Sequence, residues 1–211
     1  TPDRKYRLTF RTKQEHMARL SFTWAFALGK SRANCLDSGM LSVLIESRNQ
    51  EAELAHTLSA LVAGAVEGLV SDVIVLEHGA GEGVERVADA AGCRFMRSWD
   101  LPDVIRQSRG DWVLVLEPGA RPLSGWVETV SEHIALENSP ARFSRSKRHR
   151  RSLWQRLFSK RCPLEVGVLL PKSMALEKAS AGGDSPFMLA RRQMTRRLSC
   201  EIIPAWAMIR T

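Results

Sequence analysis

The chain has 211 residues, of which 44% are hydrophobic and 26% charged, with a formal net charge of +8. That balance excludes a disordered chain, and the length suits one domain with an extension. No run approaches the roughly 18 apolar residues needed to cross a bilayer, and the apolar stretch Leu20–Leu28 runs into Gly-Lys-Ser-Arg where a signal peptide would place small residues.

Residues 1–39 carry eight cations against three acids and show no clean periodicity. They are expected to be a basic N-terminal extension, with the folded unit over 40–211. At Met40 the character changes. Leu41–Ile45 predicts a first strand. Leu54, Leu58, Leu61 and Val62 then fall at helical spacing within Glu51–Val66. Val73–Leu76 predicts a second strand, and a Gly-rich loop, His-Gly-Ala-Gly-Glu-Gly, leads into a helix over Val84–Ala91. A short strand over Arg94–Met96, a helix over Asp103–Ser108, a strand over Trp112–Leu116 and a helix over Trp126–Leu136 follow. Strands alternating with helices at this spacing predict βαβ units, hence an α/β fold whose sheet is mainly parallel and flanked by helices.

In such sheets ligands sit beyond the carboxyl ends of the strands. Three places qualify: Glu46 to Glu51 after the first strand, Glu77 to Gly83 after the second, and Glu117 to Pro122 after Trp112–Leu116. Acids placed directly at strand ends in a crevice are candidates for a site rather than for ordinary surface.

The four cysteines, Cys35, Cys93, Cys162 and Cys200, are scattered without a C-x-x-C pair, which argues against zinc and for reduced thiols in a cytoplasmic setting. The charge is concentrated. Nine cations and no acid lie between Arg142 and Arg161; without them 22 of the 31 Lys and Arg face 23 acids. The basic character therefore reports one patch. Leu153, Trp154, Leu157 and Phe158 share one helical face within that run, a pattern suited to an anionic membrane surface. Nucleic acid is the competing partner and ranks lower, since no nucleic-acid-binding signature accompanies the cations. A solvated charge run in a mobile loop is the third alternative.

The three strand-end segments, in their order, resemble the family-2 glycosyltransferases with the GT-A nucleotide-sugar fold. The first is "LSVLIESRNQE", with Glu46, Ser47 and Asn49. The second is "VIVLEHGAGEGV", with Glu77 and His78. The third is "RGDWVLVLEPGARPLSGW", which runs to Trp126. A later stretch, Glu165 to Pro204, places Asp184 where the family's catalytic acid lies. The resemblance spans about 40–211. It implies transfer of a sugar from a nucleotide-sugar donor to an acceptor hydroxyl; the basic run over 142–161 adds the expectation of a lipid-linked or membrane-borne acceptor and a protein peripheral on the cytoplasmic face of the inner membrane. The resemblance also implies donor contacts from Glu46, Ser47, Asn49, Glu77 and His78, to which Arg121 is added on its own chemistry. The departures fall on the chemistry: the family's Asp-x-Asp is here Glu117-Pro118-Gly119, and the second acid of its second-strand pair is His78.

Physically, Glu117 offers one carboxylate to a Mn²⁺ or Mg²⁺ that the family holds with two. Arg121, or Arg191 and Arg192, present a guanidinium fork that takes over part of the diphosphate charge. A modest Glu117–Arg121 loop salt bridge is the structural alternative. Asp184 suits a general base and equally an N-cap for the helix expected from Ser185. His78 suits a metal or donor contact, or a turn position with its ring in water. A different class of function also fits the missing carboxylate: a degenerate GT-A domain that binds a nucleotide, lipid or partner without transferring sugar.

Overall fold

Near-continuous apolar runs set the centre of the molecule. In the computed structural model β1 (Leu41–Ser47), β2 (Val70–Glu77) and β4 (Trp112–Leu116) are buried along almost their whole length, as parallel strands covered on both faces must be. β1 pairs in parallel with both β2 and β4, and the short β3 (Arg94–Met96) adds in parallel beyond β2. The structure describes residues 40–79, 82–149, 162–182, 184–191 and 194–210. The basic extension over 1–39, the amphipathic stretch over 152–158 and Arg192 lie outside the described residues.

The second half of the sheet is mixed. β7 (Val168–Pro171) runs antiparallel to β4 and to β6 (Ala141–Arg145). β8 (Arg196–Ile203) lies parallel to β6 and antiparallel to the two-residue β5 (Arg121–Pro122). The eight strands form one sheet in the order β3-β2-β1-β4-β7-β6-β8-β5. Parallel pairing thus holds where strands and helices alternate, and the antiparallel pairs enter through β7 and β5.

Alternating strand residues feed two cores. Leu41, Val43 and Ile45 join one cluster, which also holds Leu54, Leu58 and Leu61 of α1 (Glu51–Val66), Val84 and Val87 of α2 (Glu82–Ala90), and Trp126, Val127 and Val130 of α4 (Trp126–Leu136). Leu44 joins the other, with Leu101, Val104 and Ile105 of α3 (Leu101–Gln107), Ala175 and Ala179 of α5 (Lys172–Ser180), and Leu189 of a 3₁₀ turn over Pro186–Ala190. The result is a sheet between two helical layers. Glu51 and Glu53 in the first turn of α1 suit the positive end of its dipole. Gly64 lets α1 and α4 meet: a Cβ there would stand 2.5 Å from the Trp126 ring.

Two boundaries moved for identifiable reasons. α3 starts at Leu101 rather than Asp103, because Asp100 caps it, accepting from the Asp103 amide at 3.2 Å, with Pro102 in the first turn. β2 starts at Val70 rather than Val73, carrying buried Asp72 into the sheet. That carboxylate accepts from the Ser42 hydroxyl, from Ser71 Oγ at 3.3 Å and from the Arg109 amide at 3.4 Å, with Arg94 Nη1 at 3.7 Å. It ties β1, β2, β3 and the turn before β4 together at the end of the sheet opposite the candidate site.

Candidate functional site

β1 neighbours both β2 and β4, so the chain reverses its direction of travel across the sheet between β1 and β4. The crevice beyond the carboxyl ends at such a switch point is where open α/β sheets bind ligands. Glu46, Ser47, Glu77 and Glu117 all stand at that end.

Glu77 and Ser47 end paired strands at the same level of the register. Glu77 is 1% exposed and Ser47 0%. One Glu77 oxygen, Oε1, accepts two backbone amides, Asn49 at 3.1 Å and Gly79 at 2.5 Å. Its other oxygen, Oε2, and the Ser47 hydroxyl oxygen have no hydrogen-bond partner among the described residues. Asn49 makes the turn possible by adopting a left-handed conformation, φ 56°, which asparagine tolerates better than most residues. Gly79 is required by crowding: a Cβ would lie 2.2 Å from Asn49 Oδ1 and 2.5 Å from Glu77 Oε1.

Glu46 and His78 form a second group. His78 Nε2 lies 2.6 Å from Glu46 Oε1, and its ring meets Trp99 edge-on, centroids 4.7 Å apart. The His78 amide donates to the Ser47 carbonyl at 3.1 Å. Glu46 Oε2 accepts from the Ser185 hydroxyl, and Trp99 Nε1 donates to the Asp184 carbonyl at 3.1 Å. The Asp184 side chain is exposed. The expected N-cap role for Asp184 is corrected: Ser185 caps, its Oγ accepting from the Phe187 amide at 3.3 Å, and the element it starts is a five-residue 3₁₀ turn rather than an α-helix. Pro186 occupies its first turn.

At the end of β4 the Glu117 carboxylate accepts from the Cys162 thiol. Burial pushes that thiol up to about 12, and the hydrogen bond to Glu117 and its charge add to the effect. Glu165, three residues on, is buried and holds Arg145 at 2.6 Å and the Trp206 indole. The Glu117–Arg121 salt bridge is absent among the described residues. Arg121 instead sits on β5, opposite Ile203 of β8, with its Nε buried and without a hydrogen-bond partner among the described residues.

Glu117 is the carboxylate that β4 brings to this end of the sheet, and it accepts from the Cys162 thiol. One carboxylate would hold a Mn²⁺ or Mg²⁺ together with water and substrate phosphates, and more weakly than two. Among the described residues no group of three His, Cys, Asp or Glu is placed to hold a metal. No helix there is long and apolar enough to cross a membrane.

Three contributors escaped the sequence reading: Trp99, Ser185 and Cys162. Trp99 follows β3, so the strand-end rule would have found it had it been applied to that short strand. Ser185 stands beside Asp184, which drew the attention. Cys162 meets Glu117 only through tertiary folding, and nothing local announces it.

No protein-family model and no curated protein matches the sequence. Among solved structures the chain is similar to mannosyl-3-phosphoglycerate synthase from Rubrobacter xylanophilus, at 14% identity and a TM-score of 0.49 over 64% of this chain and 55% of that one. Glucosyl-3-phosphoglycerate synthase from Mycobacterium tuberculosis, solved with Mn²⁺, UDP and glucosyl-3-phosphoglycerate, matches at 18% identity and 0.48 over 70% and 60%. S. aureus TarS, residues 1–349, matches at 12% identity and a TM-score of 0.52 over 75% and 57%. The chain spans little more than half the length of the structures it matches. The likeness to TarS carries the fold, the GT-A fold of nucleotide-sugar glycosyltransferases.

Proposed function

We propose that the chain is a glycosyltransferase that moves a sugar from a nucleotide-sugar donor to an acceptor hydroxyl. The observation that carries this reading is the open pair at the switch point, Glu77 Oε2 and Ser47 Oγ, both buried and without partners among the described residues. Such atoms are costly to bury unpaired. A nucleoside's hydroxyl and base N–H groups supply the missing donors. Asn49 and Gly79 hold the carboxylate still by occupying its other oxygen.

The acceptor oxygen bonds to the anomeric carbon as the bond from that carbon to the diphosphate oxygen breaks. The electron pair leaves with the nucleoside diphosphate. Asp184 takes the acceptor's proton as general base. Arg121, with an Nε still open, meets the developing diphosphate charge through its guanidinium fork. A Mn²⁺ or Mg²⁺, where bound, would take Glu117 as its carboxylate ligand and share the diphosphate charge with Arg121.

The acceptor is lipid-linked or presented at an anionic membrane surface. Arg142 and Arg197 occupy paired positions on β6 and β8, both exposed, and exposed Lys147 and Arg148 follow. Like charges at paired positions repel, and anionic headgroups relieve that repulsion. Co-sedimentation with anionic vesicles at low salt, lost at high salt, supports this; no sedimentation refutes it.

A second reading, a nucleotide-binding module without transfer, is favoured by the Cys162 thiol on Glu117. Thermal shift with UDP and GDP, with and without Mn²⁺, tests the shared binding step. Asp184→Asn then separates the two readings: lost transfer with unchanged nucleotide binding supports catalysis, and full activity removes Asp184 from it.

A further inference from the structure

We propose that Glu46 is a positioning residue for Asp184 and not a donor contact. It acts through Ser185, and the inference rests on Asp184 being the base of the transfer reaction. Glu46 stands at the end of β1, and both its oxygens are engaged: Oε1 with His78 Nε2 at 2.6 Å, Oε2 with the Ser185 hydroxyl. It differs in this from Glu77, which keeps one oxygen open.

Segment 184–191 is held at three points. At its front, Ser185 binds Glu46, and the Asp184 carbonyl takes the Trp99 indole N–H at 3.1 Å. In the middle, buried Pro186 and Leu189 dock it, Leu189 in the core beside α3 and α5. At its back, Lys178 Nζ donates to the Leu189 carbonyl at 3.3 Å and to the Arg191 carbonyl at 2.9 Å. The middle and back anchors hold the segment against α5 and the core. Leu189 shares that core with Leu44 of β1 and Leu76 of β2, and the front anchors are the hydrogen bonds, among the described residues, that register Asp184 and Ser185 against the end of β1. Of these, the Glu46–Ser185 bond is charge-assisted, and so the stronger kind. His78, with its ring against Trp99, braces Glu46 from the other side and joins the two front anchors into one brace. The geometry therefore makes Glu46 the part that converts the position of β1 into the position of Asp184.

The test uses the full chain and two variants, Ser185→Ala and Glu46→Ala, with Ser185→Thr as the rescue. Amide hydrogen exchange over 184–191 should rise about tenfold in both alanine variants, the scale of one lost charge-assisted hydrogen bond opening a local segment. Exchange in β1, β2 and β4 and affinity for UDP and GDP should hold. With a nucleotide-sugar donor, kcat should fall while donor KM stays, and Ser185→Thr should restore both exchange and kcat. Unchanged exchange in both alanine variants overturns the proposal. Weakened nucleotide binding in Ser185→Ala or Glu46→Ala also overturns it, because the group would then touch the donor. A wild-type chain that binds no nucleotide would overturn the transferase reading instead, and the exchange result would still accept or reject the brace.

Discussion

Replacing Glu77 with glutamine tests the donor site with the least disturbance. The amide has the shape of the carboxylate. Its oxygen still accepts the Asn49 and Gly79 amides that Oε1 holds at 3.1 and 2.5 Å, so the loop keeps its anchor. The change falls on the other atom. Where wild type presents an open, buried carboxylate oxygen, the variant presents an N–H₂, which donates and cannot accept. Two effects on the ligand-free protein oppose one another. Neutral hydrogen bonds replace charge-assisted ones, which destabilises, while a buried, half-paired charge is removed, which stabilises. The melting temperature should therefore move little. Binding has no such compensation. A lost hydrogen bond to a charged group is worth about 1.5–3 kcal/mol, or roughly 10- to 150-fold in affinity. Isothermal titration with UDP and GDP should show that loss against an unchanged melting curve. A folded Glu77→Gln variant that binds nucleotide as tightly as wild type refutes the assignment of Glu77 as a donor contact.

Gly79→Ala should abolish nucleotide binding in a folded protein, since its methyl would collide with Asn49 Oδ1 and Glu77 Oε1; a thermal shift with UDP that matches wild type would count against the packing argument. Asp72→Ala should lower stability by about 2–4 kcal/mol, because it strips partners from Ser42, Ser71 and the Arg109 amide in a buried place, read as a shifted urea midpoint. Cys162 should alkylate slowly at pH 8, its thiol held near 12, and Glu117→Gln should accelerate the reaction by removing the adjacent charge. The raised thiol also sets a sign for stability. The unfolded chain loses that proton from about pH 9 while the folded chain keeps it, so the contribution of protonated Cys162 is fully present below that pH and is lost as pH climbs from there toward 12.

The alternation of apolar strands with helical spacing made the parallel half of the sheet legible, because each of those strands is buried on both faces and writes its burial into a continuous run. The strand-end rule then picked out Glu46, Ser47, Glu77 and Glu117, which the fold gathers at one end of the sheet. The other half was harder to read. β5 is two residues long and exists as a strand only because β8 lies beside it. The 3₁₀ turn after Ser185 is too short for a period to appear. The roles within the site were also hidden. Glu46 and Glu77 look alike in sequence, both acids at strand ends. Only tertiary contacts distinguish them: one is filled on both oxygens by His78 and Ser185, and the other is open on one side. The Cys162 thiol on Glu117 belongs to the same class of fact, since its partner is far along the chain.

Arg121 has a provenance that matters for genetics. Its backbone position is fixed by pairing with Ile203, so a guanidinium on the outermost strand of the sheet depends on a strand near the end of the described chain. A substitution in β8 that loosens its pairing with β5 touches no polar group of the crevice, yet it would displace the cation proposed to meet the diphosphate. Such a lesion would present in an activity screen as a donor defect while mapping to β8, between β6 and β5, and measuring folding alone would pass it as harmless.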